Sequence, residues 1–196
     1  MIAIVDYNAG NIWSIAKALI HLGAEVEITK SAEVLEKADG VVLPGVGSFA
    51  RMKDLERLRE ALVFATSEKP FLGICLGMQL LFEESEEADG RGLSVFEGKV
   101  ARLRGNVKIP HIGWNSVRIL KKSRIMEGIP DCSYFYFVHS YAPPFKEEIT
   151  VGVTEHGGLF PSVIEKENVF AFQFHPEKSG QNGLRLLENF VKITKG

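Results

Sequence analysis

The protein has 196 residues, which is enough for one domain with a substantial hydrophobic core but too few for two full domains. Hydrophobic residues make up 45% of the chain and charged residues 24%, the balance of an ordinary folded protein rather than of a disordered or membrane chain. The net charge of −2 creates no long-range field that would attract nucleic acid or an anionic membrane. We therefore expect a single domain over residues 1–196, with no nucleic-acid or membrane partner.

The cysteine content and the N-terminus indicate the compartment. Only two cysteines occur, Cys75 and Cys132, and no apolar segment approaches the roughly 20 residues needed to cross a bilayer. The N-terminal stretch MIAIVDYN lacks the basic region of a signal peptide and runs directly into a predicted core strand. These features predict a cytoplasmic protein whose thiols stay reduced.

The first half of the chain alternates short β-branched runs with helical patterns. This alternation predicts βαβ units on a parallel sheet. The unbroken apolar run from Val41 to Leu43 is typical of a strand that is covered on both faces. The predicted strands are IAIVDY, AEVEIT, GVVLP and PFLGIC, and the predicted helices run from Asn11 to Leu22, from Ser31 to Ala38, from about Arg51 to Thr66, and onward from Leu76.

The second half has a different pattern, with five strand-like runs that follow one another through Gly, Pro and Asn turns. These runs are LSVFEGKVARL, GWNSVRIL, CSYFYFVHSY, ITVGVTEHG and VFAFQFHPE, with no helix predicted between them. Such a succession predicts antiparallel or mixed pairing. An amphipathic helix from about Asn182 to Thr194 closes the chain. The predicted fold class is therefore α/β, a doubly wound, mostly parallel sheet with a β-rich antiparallel extension in the second half.

The stretch FLGICLGMQ places Cys75 at the predicted junction between a strand and a helix. Gly73 and Gly77 flank it in the form of a nucleophile elbow, with cysteine where hydrolases of another family carry serine. A helix N-terminus at this point would favour the thiolate, and its N–H groups, beginning with that of Leu76, would be available to an oxyanion. The alternative is that Cys75 is a small buried residue of a core strand.

A catalytic thiol needs a base, and His175 is the best placed of the five histidines. It ends the predicted strand VFAFQF, so it would reach the same edge of a parallel sheet as Cys75. A proline then stops the strand, and Glu177 can turn back to accept a hydrogen bond from the imidazole. These three groups would serve as base, nucleophile and orienting acid. His21 and His156 are expected at the surface or in a turn, and the alternative for His-Pro-Glu is a turn with an incidental carboxylate.

The glycine-rich turn from Pro44 to Gly47 also follows a predicted strand. Such a turn can aim backbone N–H groups into a cleft. One interpretation is a phosphate-binding loop, but neither the Walker pattern nor G-x-G-x-x-G is present. An oxyanion site beside the thiol suits the turn better. The basic run from Lys121 to Arg124 is expected to be a solvated surface turn, with phosphate binding as the alternative.

Taken together, the motifs GICLGMQLLFEES, PGVGSF and FQFHPEKS resemble those of the class I (triad) glutamine amidotransferases over essentially the whole chain. Within that family, the segments DYNAGNIWS, PHIGWN and YFYFVHSY look like those of the glutaminase subunits of imidazole glycerol phosphate synthase. The resemblance implies the class I glutamine amidotransferase fold, a flavodoxin-like form of the predicted sheet. It implies no cofactor and no metal ion.

The resemblance also assigns roles to individual residues. Cys75 would attack the amide carbon of glutamine and form a thioester as ammonia leaves, His175 would transfer the proton, and Glu177 would orient the imidazole. Water would then release glutamate. By the same resemblance, after adjustment of the PGVG turn the oxyanion hole would use Val46, Gly47 and Leu76, glutamine would be held by Gln79, Glu87, Ser140 and Tyr141, and the partner interface would include Asn11, Trp114, Tyr136 and Lys178.

Some of these roles have independent physical support and others do not. Gln79 lies four residues after Cys75, on the same face of the predicted helix. Trp114 and Tyr136 would fit equally well in the core, since aromatic side chains bury the largest areas. The partner implied by the family is a (β/α)8-barrel cyclase in a 1:1 heterodimer. It would receive ammonia through a protected channel to make imidazole glycerol phosphate and an aminoimidazole carboxamide ribotide.

Two other functions remain open. The first is a triad glutaminase that serves another synthase, such as the pyridoxal phosphate synthase type, in which the first glycine turn resembles G-G-E-S instead of the PGVGSF found here. The second is a catalytically silent flavodoxin-like binding module, since a fold alone does not define a function. A binding module has no physical reason to combine a thiol, His-Pro-Glu and an oxyanion turn.

Overall fold

The structure is organised around a nine-stranded mixed sheet, beside which lies a three-stranded sheet. The computed structural model describes residues 1–8 and 11–196, so Ala9 and Gly10 of the DYNAGNIWS segment lie outside the described residues. The strands are β1 (Ile2–Val5), β2 (Val26–Thr29), β3 (Gly40–Leu43), β4 (Phe71–Ile74), β5 (Phe82–Ser85), β6 (Phe96–Arg102), β7 (His111–Ile119), β8 (Ser133–His139), β9 (Tyr141–Ala142), β10 (Thr150–Glu155), β11 (Leu159–Lys166) and β12 (Val169–Phe172). The α-helices are α1 (Ile12–His21), α2 (Ala32–Lys37), α3 (Arg59–Glu68), α4 (Leu76–Gln79) and α5 (Gly180–Ile193), with 3-10 helices at Phe49–Leu58 and Pro176–Lys178.

The large sheet joins a parallel block to an antiparallel block in the order β2-β1-β3-β4-β12-β11-β10-β7-β8. The strands from β2 to β12 in this order are all parallel to their neighbours, and those beyond β12 pair antiparallel. The predicted doubly wound sheet with an antiparallel extension is therefore confirmed. Strand β12 comes from the β-rich half of the chain but completes the parallel block, so its carboxyl end lies beside that of β4.

Helices cover the parallel block on both faces. Ile2 and Ile4 of β1 belong to one hydrophobic cluster with α1 and α5, whereas Ala3 and Val5 belong to a second cluster with α2 and α3. Successive residues of a strand point to opposite faces, so both sets of residues are buried and the strand is apolar throughout. Across residues 1–8 and 11–196, no helix combines the length and the apolar character needed to cross a membrane.

The segment after Cys75 is the largest departure from the predicted elements. Helix α4 has a single turn, and the residues expected to continue it form strand β5 instead. Leu80, Leu81 and Phe82 are all fully buried, and Phe82 packs against Phe96 with ring centroids 5.5 Å apart as β5 pairs with β6. Leu80 and Leu81 lie in the turn between α4 and β5, and the pairing partner of β5 lies too far along the chain to be read from local periodicity.

Two smaller departures from the predicted elements concern strand β11 and the helix that follows the PGVGS turn. Strand β11 was not predicted, although it connects β10 to β12 by antiparallel pairing on both sides. The predicted helix from Arg51 to Thr66 begins as the 3-10 helix Phe49–Leu58 and becomes α-helical only at Arg59. The other predicted strands and helices occur in the predicted order, and the first 3-10 helix starts directly after the PGVGS turn.

Candidate active site

The candidate site lies where β3, β4 and β12 end, at one edge of the parallel block. Phe172 of β12 is in register with Ile74 of β4, and the Cys75 N–H donates to the Phe172 carbonyl at 2.7 Å. His175 follows three residues later, and its N–H donates to the Tyr136 carbonyl of β8 at 2.9 Å. Adjacent parallel strands thus deliver the predicted nucleophile and the predicted base to the same crevice.

Cys75 occupies a strained turn that depends on its glycine neighbours. Its backbone has φ 52° and ψ −103°, a conformation that costs a non-glycine residue about 1–3 kcal/mol. A Cβ on Gly77 would lie 1.8 Å from the Leu43 carbonyl oxygen, and one on Gly73 would lie 2.9 Å from the Gly77 oxygen. The glycines therefore allow the sharp reversal that presents the thiol at the start of α4.

His175 is held between the thiol and a buried carboxylate. Its Nδ1 lies 2.9 Å from Oε1 of Glu177, and both side chains are almost completely buried. Among the described residues, its Nε2 has no hydrogen-bond partner within the protein, although the Cys75 thiol is close enough to interact. Burial alone would lower the pKa of His175, but the negative charge and close approach of Cys75, followed by the hydrogen bond and charge of Glu177, raise that pKa well above its ordinary value. The arrangement favours a protonated imidazole beside the sulfur of Cys75.

Asn11 is placed differently from the other predicted interface residues. It caps α1 in a left-handed conformation, with φ 74°. Its side-chain amide donates to Oε1 of Glu177, the same oxygen that accepts from His175. Asn11 therefore contacts the candidate triad directly and helps to orient the acid.

Two buried glutamines surround the thiol. Gln173 Nε2 donates to the Cys75 Sγ at 3.6 Å, and Gln79 Nε2 donates to Gln173 Oε1 at 3.1 Å and to the Tyr141 carbonyl at 2.8 Å. Sequence reasoning identified Gln79 but missed Gln173. The available indication was a single amide in the otherwise apolar strand VFAFQF, which becomes a fully buried polar residue and so requires partners.

Ser179 is a second residue that sequence reasoning missed. Its Oγ donates to the His175 carbonyl at 2.6 Å and accepts from the Tyr136 N–H at 3.0 Å. Ser179 is buried, so these bonds attach the His-Pro-Glu turn to strand β8 in an environment with little competing water.

A cleft of about 180 Å³ opens beside the thiol. It brings together six of the residues predicted to bind substrate or an oxyanion, and three further residues line it. Glu87 Oε2 accepts from the Phe49 N–H at 2.6 Å, so this carboxylate lies at the cleft instead of on a solvated helix end. The lining residues besides Cys75 are Gly47, Leu76, Gln79, Glu87, Ser140 and Tyr141 from the predicted set, together with Pro110, Val138 and His139.

The glycine turn blocks the predicted oxyanion donor in this structure. The Leu76 N–H donates to the Gly45 carbonyl at 3.3 Å, a long bond to the turn itself. Val46 lies outside the cleft, on the side of His175 and Asn11. The buried Tyr7 hydroxyl donates to the Pro44 carbonyl at 2.6 Å, and burial, with the Cys75 charge adding to it, raises the pKa of Tyr7 far above its ordinary value. An oxyanion can reach the Leu76 N–H only if the Gly45 carbonyl moves.

Three histidines lie together at the back of this cleft, and His139 among them lines it. His111 stacks on His156 at 4.0 Å between ring centroids, and its Nδ1 lies 3.1 Å from Nε2 of His139. Burial and the neighbouring His156 lower the pKa of His111 to about 4. Burial is also the main cause that lowers the pKa of His139 to about 3. Within the described ranges, no group of three or more His, Cys, Asp or Glu side chains is arranged to hold a metal ion.

We expect acid to destabilise the protein through these two histidines. Their pKa values are lowered in the folded state, to about 4 and about 3, from about 6.5 in an unfolded chain. As pH falls below 6.5, the two histidines become protonated in the unfolded state but stay neutral in the folded state. The free energy of unfolding should therefore drop by about 3 kcal/mol between pH 7 and pH 5. Urea unfolding at both pH values measures this. His111→Asn should reduce this drop in unfolding free energy to roughly half, whereas the exposed control His21→Asn should leave it unchanged. Equal drops in the wild type and both variants would contradict the role of the buried histidines.

Three predicted interface residues form a row on the outer face of β7 and β8. Trp114 and Tyr136 are cross-strand partners with ring centroids 6.1 Å apart, and Lys178 Nζ lies 5.9 Å from the Tyr136 ring centroid. Trp114 is 55% exposed, so it is not a core residue, and Tyr136 is half-buried. On the same face, Ile112 and Tyr134 are 57% and 60% exposed. We call this set of Ile112, Trp114, Tyr134, Tyr136 and Lys178 the aromatic face.

Comparisons with known proteins identify the family of the chain. A protein from Methanocaldococcus jannaschii named imidazole glycerol phosphate synthase subunit HisH is 53% identical, over 98% of this chain and 100% of its own. The protein of the same name from Thermococcus kodakarensis is 51% identical over the same shares. A solved glutamine amidotransferase, 20% identical, superimposes with a TM-score of 0.77 over 99% of both chains, which shows the shared fold. The family model for glutamine amidotransferase class-I matches residues 3–193, so the chain belongs to that family.

Proposed function

We propose that this chain is the glutaminase subunit of an imidazole glycerol phosphate synthase and acts in histidine biosynthesis. The observation that carries the proposal is that Cys75, which lines a cleft with Gln79 and Glu87, lies beside the hydrogen-bonded pair of His175 and Glu177. The relatives of about 50% identity that cover the whole chain support the choice of synthase. The unpaired cysteines fit a cytoplasmic location.

In the proposed reaction, the Cys75 thiolate attacks the side-chain amide carbon of glutamine. The electron pair of the C=O bond moves to oxygen and forms a tetrahedral oxyanion. His175 then gives a proton to the nitrogen, so the C–N bond breaks, ammonia leaves and a thioester remains. Water, deprotonated by His175, attacks the thioester and releases glutamate and the thiolate. Glu177 keeps Nδ1 of the imidazole protonated throughout, which leaves Nε2 for both proton transfers.

The cleft supplies complementary groups for an amino-acid substrate. Glu87 is the charged side chain among the lining residues besides the candidate thiolate, and it would pair with the α-ammonium group of glutamine. The backbone of Ser140 and Tyr141 lines the same cleft and would hold the α-carboxylate end. Leu76 would bind the oxyanion together with the PGVG turn once the Gly45 carbonyl has moved from the Leu76 N–H. This requirement predicts that the isolated chain is a poor glutaminase.

We further propose that the partner is a (β/α)8-barrel cyclase that binds the aromatic face in a 1:1 complex. The aromatic face exposes large apolar side chains beside the mouth of the site, a composition typical of the core of a protein interface. The aromatic face is also attached to the His-Pro-Glu turn, because the backbone of Tyr136 forms hydrogen bonds with both His175 and Ser179. Partner binding at this face can therefore be communicated to the triad.

The test is reconstitution with a purified barrel cyclase. We expect a 1:1 complex in sedimentation, and glutamine-dependent synthesis of imidazole glycerol phosphate that neither protein supports alone. Trp114→Ala should weaken complex formation about tenfold or more, because exposed tryptophans are frequent binding hot spots. Phe64→Ala is the matched control, since Phe64 is 51% exposed on α3. Failure of the mixture to use glutamine would refute the proposed function, and equal affinities of the two variants would refute the interface.

A further inference from the structure

A line of hydrogen bonds runs behind the substrate cleft from β7 to β9. Asn115 Nδ2 lies 3.2 Å from His111 Nε2, His111 Nδ1 lies 3.1 Å from His139 Nε2, and His139 Nδ1 lies 2.8 Å from the Tyr141 carbonyl oxygen. We call these four residues the histidine relay. Its last member, Tyr141, lines the cleft beside the thiol.

The partners at the two ends of the relay determine which nitrogen of each histidine donates a hydrogen bond and which accepts one. The Tyr141 carbonyl can only accept, so His139 must carry its proton on Nδ1 and leave Nε2 free to accept from His111. At the other end, Asn115 Nδ2 also donates to the Glu155 carbonyl at 3.0 Å, so this atom is the amide nitrogen. His111 therefore accepts at Nε2 and donates from Nδ1. The hydrogen bonds therefore define one neutral tautomer for each histidine, with the proton on Nδ1.

The surroundings of the relay keep both rings neutral. Phe137 stacks on His111 at 4.8 Å between centroids, and Phe160 meets the His139 ring edge at 5.0 Å. The titratable side chain that stacks on His111 is His156, whose Nε2 bonds to the Lys108 carbonyl at 2.8 Å. An extra proton on either ring would place two N–H groups against each other, since every ring nitrogen already has a defined partner.

The relay ends on a short segment of backbone that is held by a small number of hydrogen bonds. Strand β9 contains only Tyr141 and Ala142, so strand pairing fixes few of its groups. The Ser140 carbonyl accepts from the Leu103 N–H at 2.9 Å, and the Tyr141 carbonyl accepts from His139 and from Gln79. These bonds anchor the peptide groups on both sides of the Tyr141 α-carbon, which sets the direction of the Tyr141 N–H at the cleft.

We propose that His111 is a positioning residue for glutamine binding, which acts through His139 to hold the Tyr141 backbone in its binding orientation. This inference rests on the proposed function, because it names the substrate of that same cleft. His111 is not among the residues that line the cleft, so it touches no substrate. Its role is to keep the proton of His139 on Nδ1. If His111 does not donate to Nε2, His139 can move its proton there and turn a lone pair towards the Tyr141 carbonyl.

Two substitutions of His111 separate the relay from simple packing. Asparagine places an amide nitrogen near the position of Nδ1 and keeps the donor to His139, whereas glutamine places its amide near Nε2 and loses that donor. In the complex with the cyclase, His111→Gln should raise the KM for glutamine about five- to tenfold with kcat changed by less than about threefold. His111→Asn should keep KM within about threefold. Equal KM shifts in both variants, or a fall in kcat at unchanged KM, would overturn the proposal.

A measurement on the unmodified protein covers the case in which a variant does not fold. Nitrogen-15 NMR of labelled histidine reports which ring nitrogen carries the proton. At pH 7 we expect both His111 and His139 as the Nδ1–H tautomer, and finding His139 protonated at Nε2 would refute the relay. The two proposals fail separately: no glutamine hydrolysis by the wild-type complex removes the proposed function, whereas an active wild type with an unchanged KM in His111→Gln removes only the relay.

Discussion

Cys75→Ala should abolish the release of glutamate from glutamine. The substitution removes the only atom that the proposed mechanism uses to form the thioester, so the rate in the cyclase complex should fall by about 10⁴-fold or more. Alanine leaves the elbow in place, since it has the same backbone restrictions as cysteine at φ 52°. The assay is glutamate production with the cyclase and its ligand present.

Cys132→Ala provides the matched control for the thiol. Cys132 is exposed and, like Cys75, has a positive φ, here 57°, so the two substitutions place the same backbone demand on alanine. Cys132→Ala should keep wild-type turnover, and both variants should bind the cyclase with unchanged affinity. Glutamate release by Cys75→Ala at even a tenth of the wild-type rate would be incompatible with a Cys75 nucleophile.

His175→Asn should reduce turnover by about 10³- to 10⁴-fold. Asparagine can still place an amide near the Nδ1 position and bond to Glu177, so the acid keeps a partner. It has no group at the position of Nε2, which is the atom that must take and return the proton. The loss should therefore appear in kcat, with the KM for glutamine changed little. Steady-state kinetics in the cyclase complex measures both parameters.

His21→Asn tests whether the loss is specific to the base. His21 is exposed at the end of α1, so the same chemical change there should leave both parameters at wild-type values. Iodoacetamide adds a second readout, because the raised pKa of His175 keeps a proton on the imidazole beside the sulfur of Cys75. Alkylation of Cys75 should be slower in His175→Asn than in wild type at pH 7. Normal turnover in His175→Asn would mean that another group is the base.

Local patterns in the sequence were sufficient to predict the strands that carry the candidate triad and the glycine turn. Strands β3 and β4 are apolar throughout, and the turns after them have the glycines that a sharp reversal demands. The G-x-C-x-G pattern indicated that Gly77 is needed, although the atom that imposes the need is the carbonyl oxygen of Leu43 on the adjacent strand β3. His175 was identified by the same rule, since its strand ends in a histidine followed by proline.

The environment of the thiol could not be predicted in the same way. Gln173 and Ser179 matter because of what they contact, and neither the sulfur of Cys75 nor the backbone of Tyr136 is near them in the chain. The occupied Leu76 N–H is a further case, because a glycine turn allows several backbone orientations and its packing on Tyr7 and α4 selects one. The same limitation applies to the contact of Asn11 with Glu177, which no local pattern indicated.

The sequence by itself determined the class of fold and the three chemical groups of the candidate triad, because hydrophobic periodicity and steric demands at turns act between near neighbours. The tertiary structure alone decided that β12 joins the parallel block beside β4, that the chain after Cys75 becomes β5, and that His111 and His139 align behind the cleft. These outcomes depend on hydrogen bonds and buried contacts between segments that are tens of residues apart. Only the packed molecule determines which distant partners satisfy the buried polar groups.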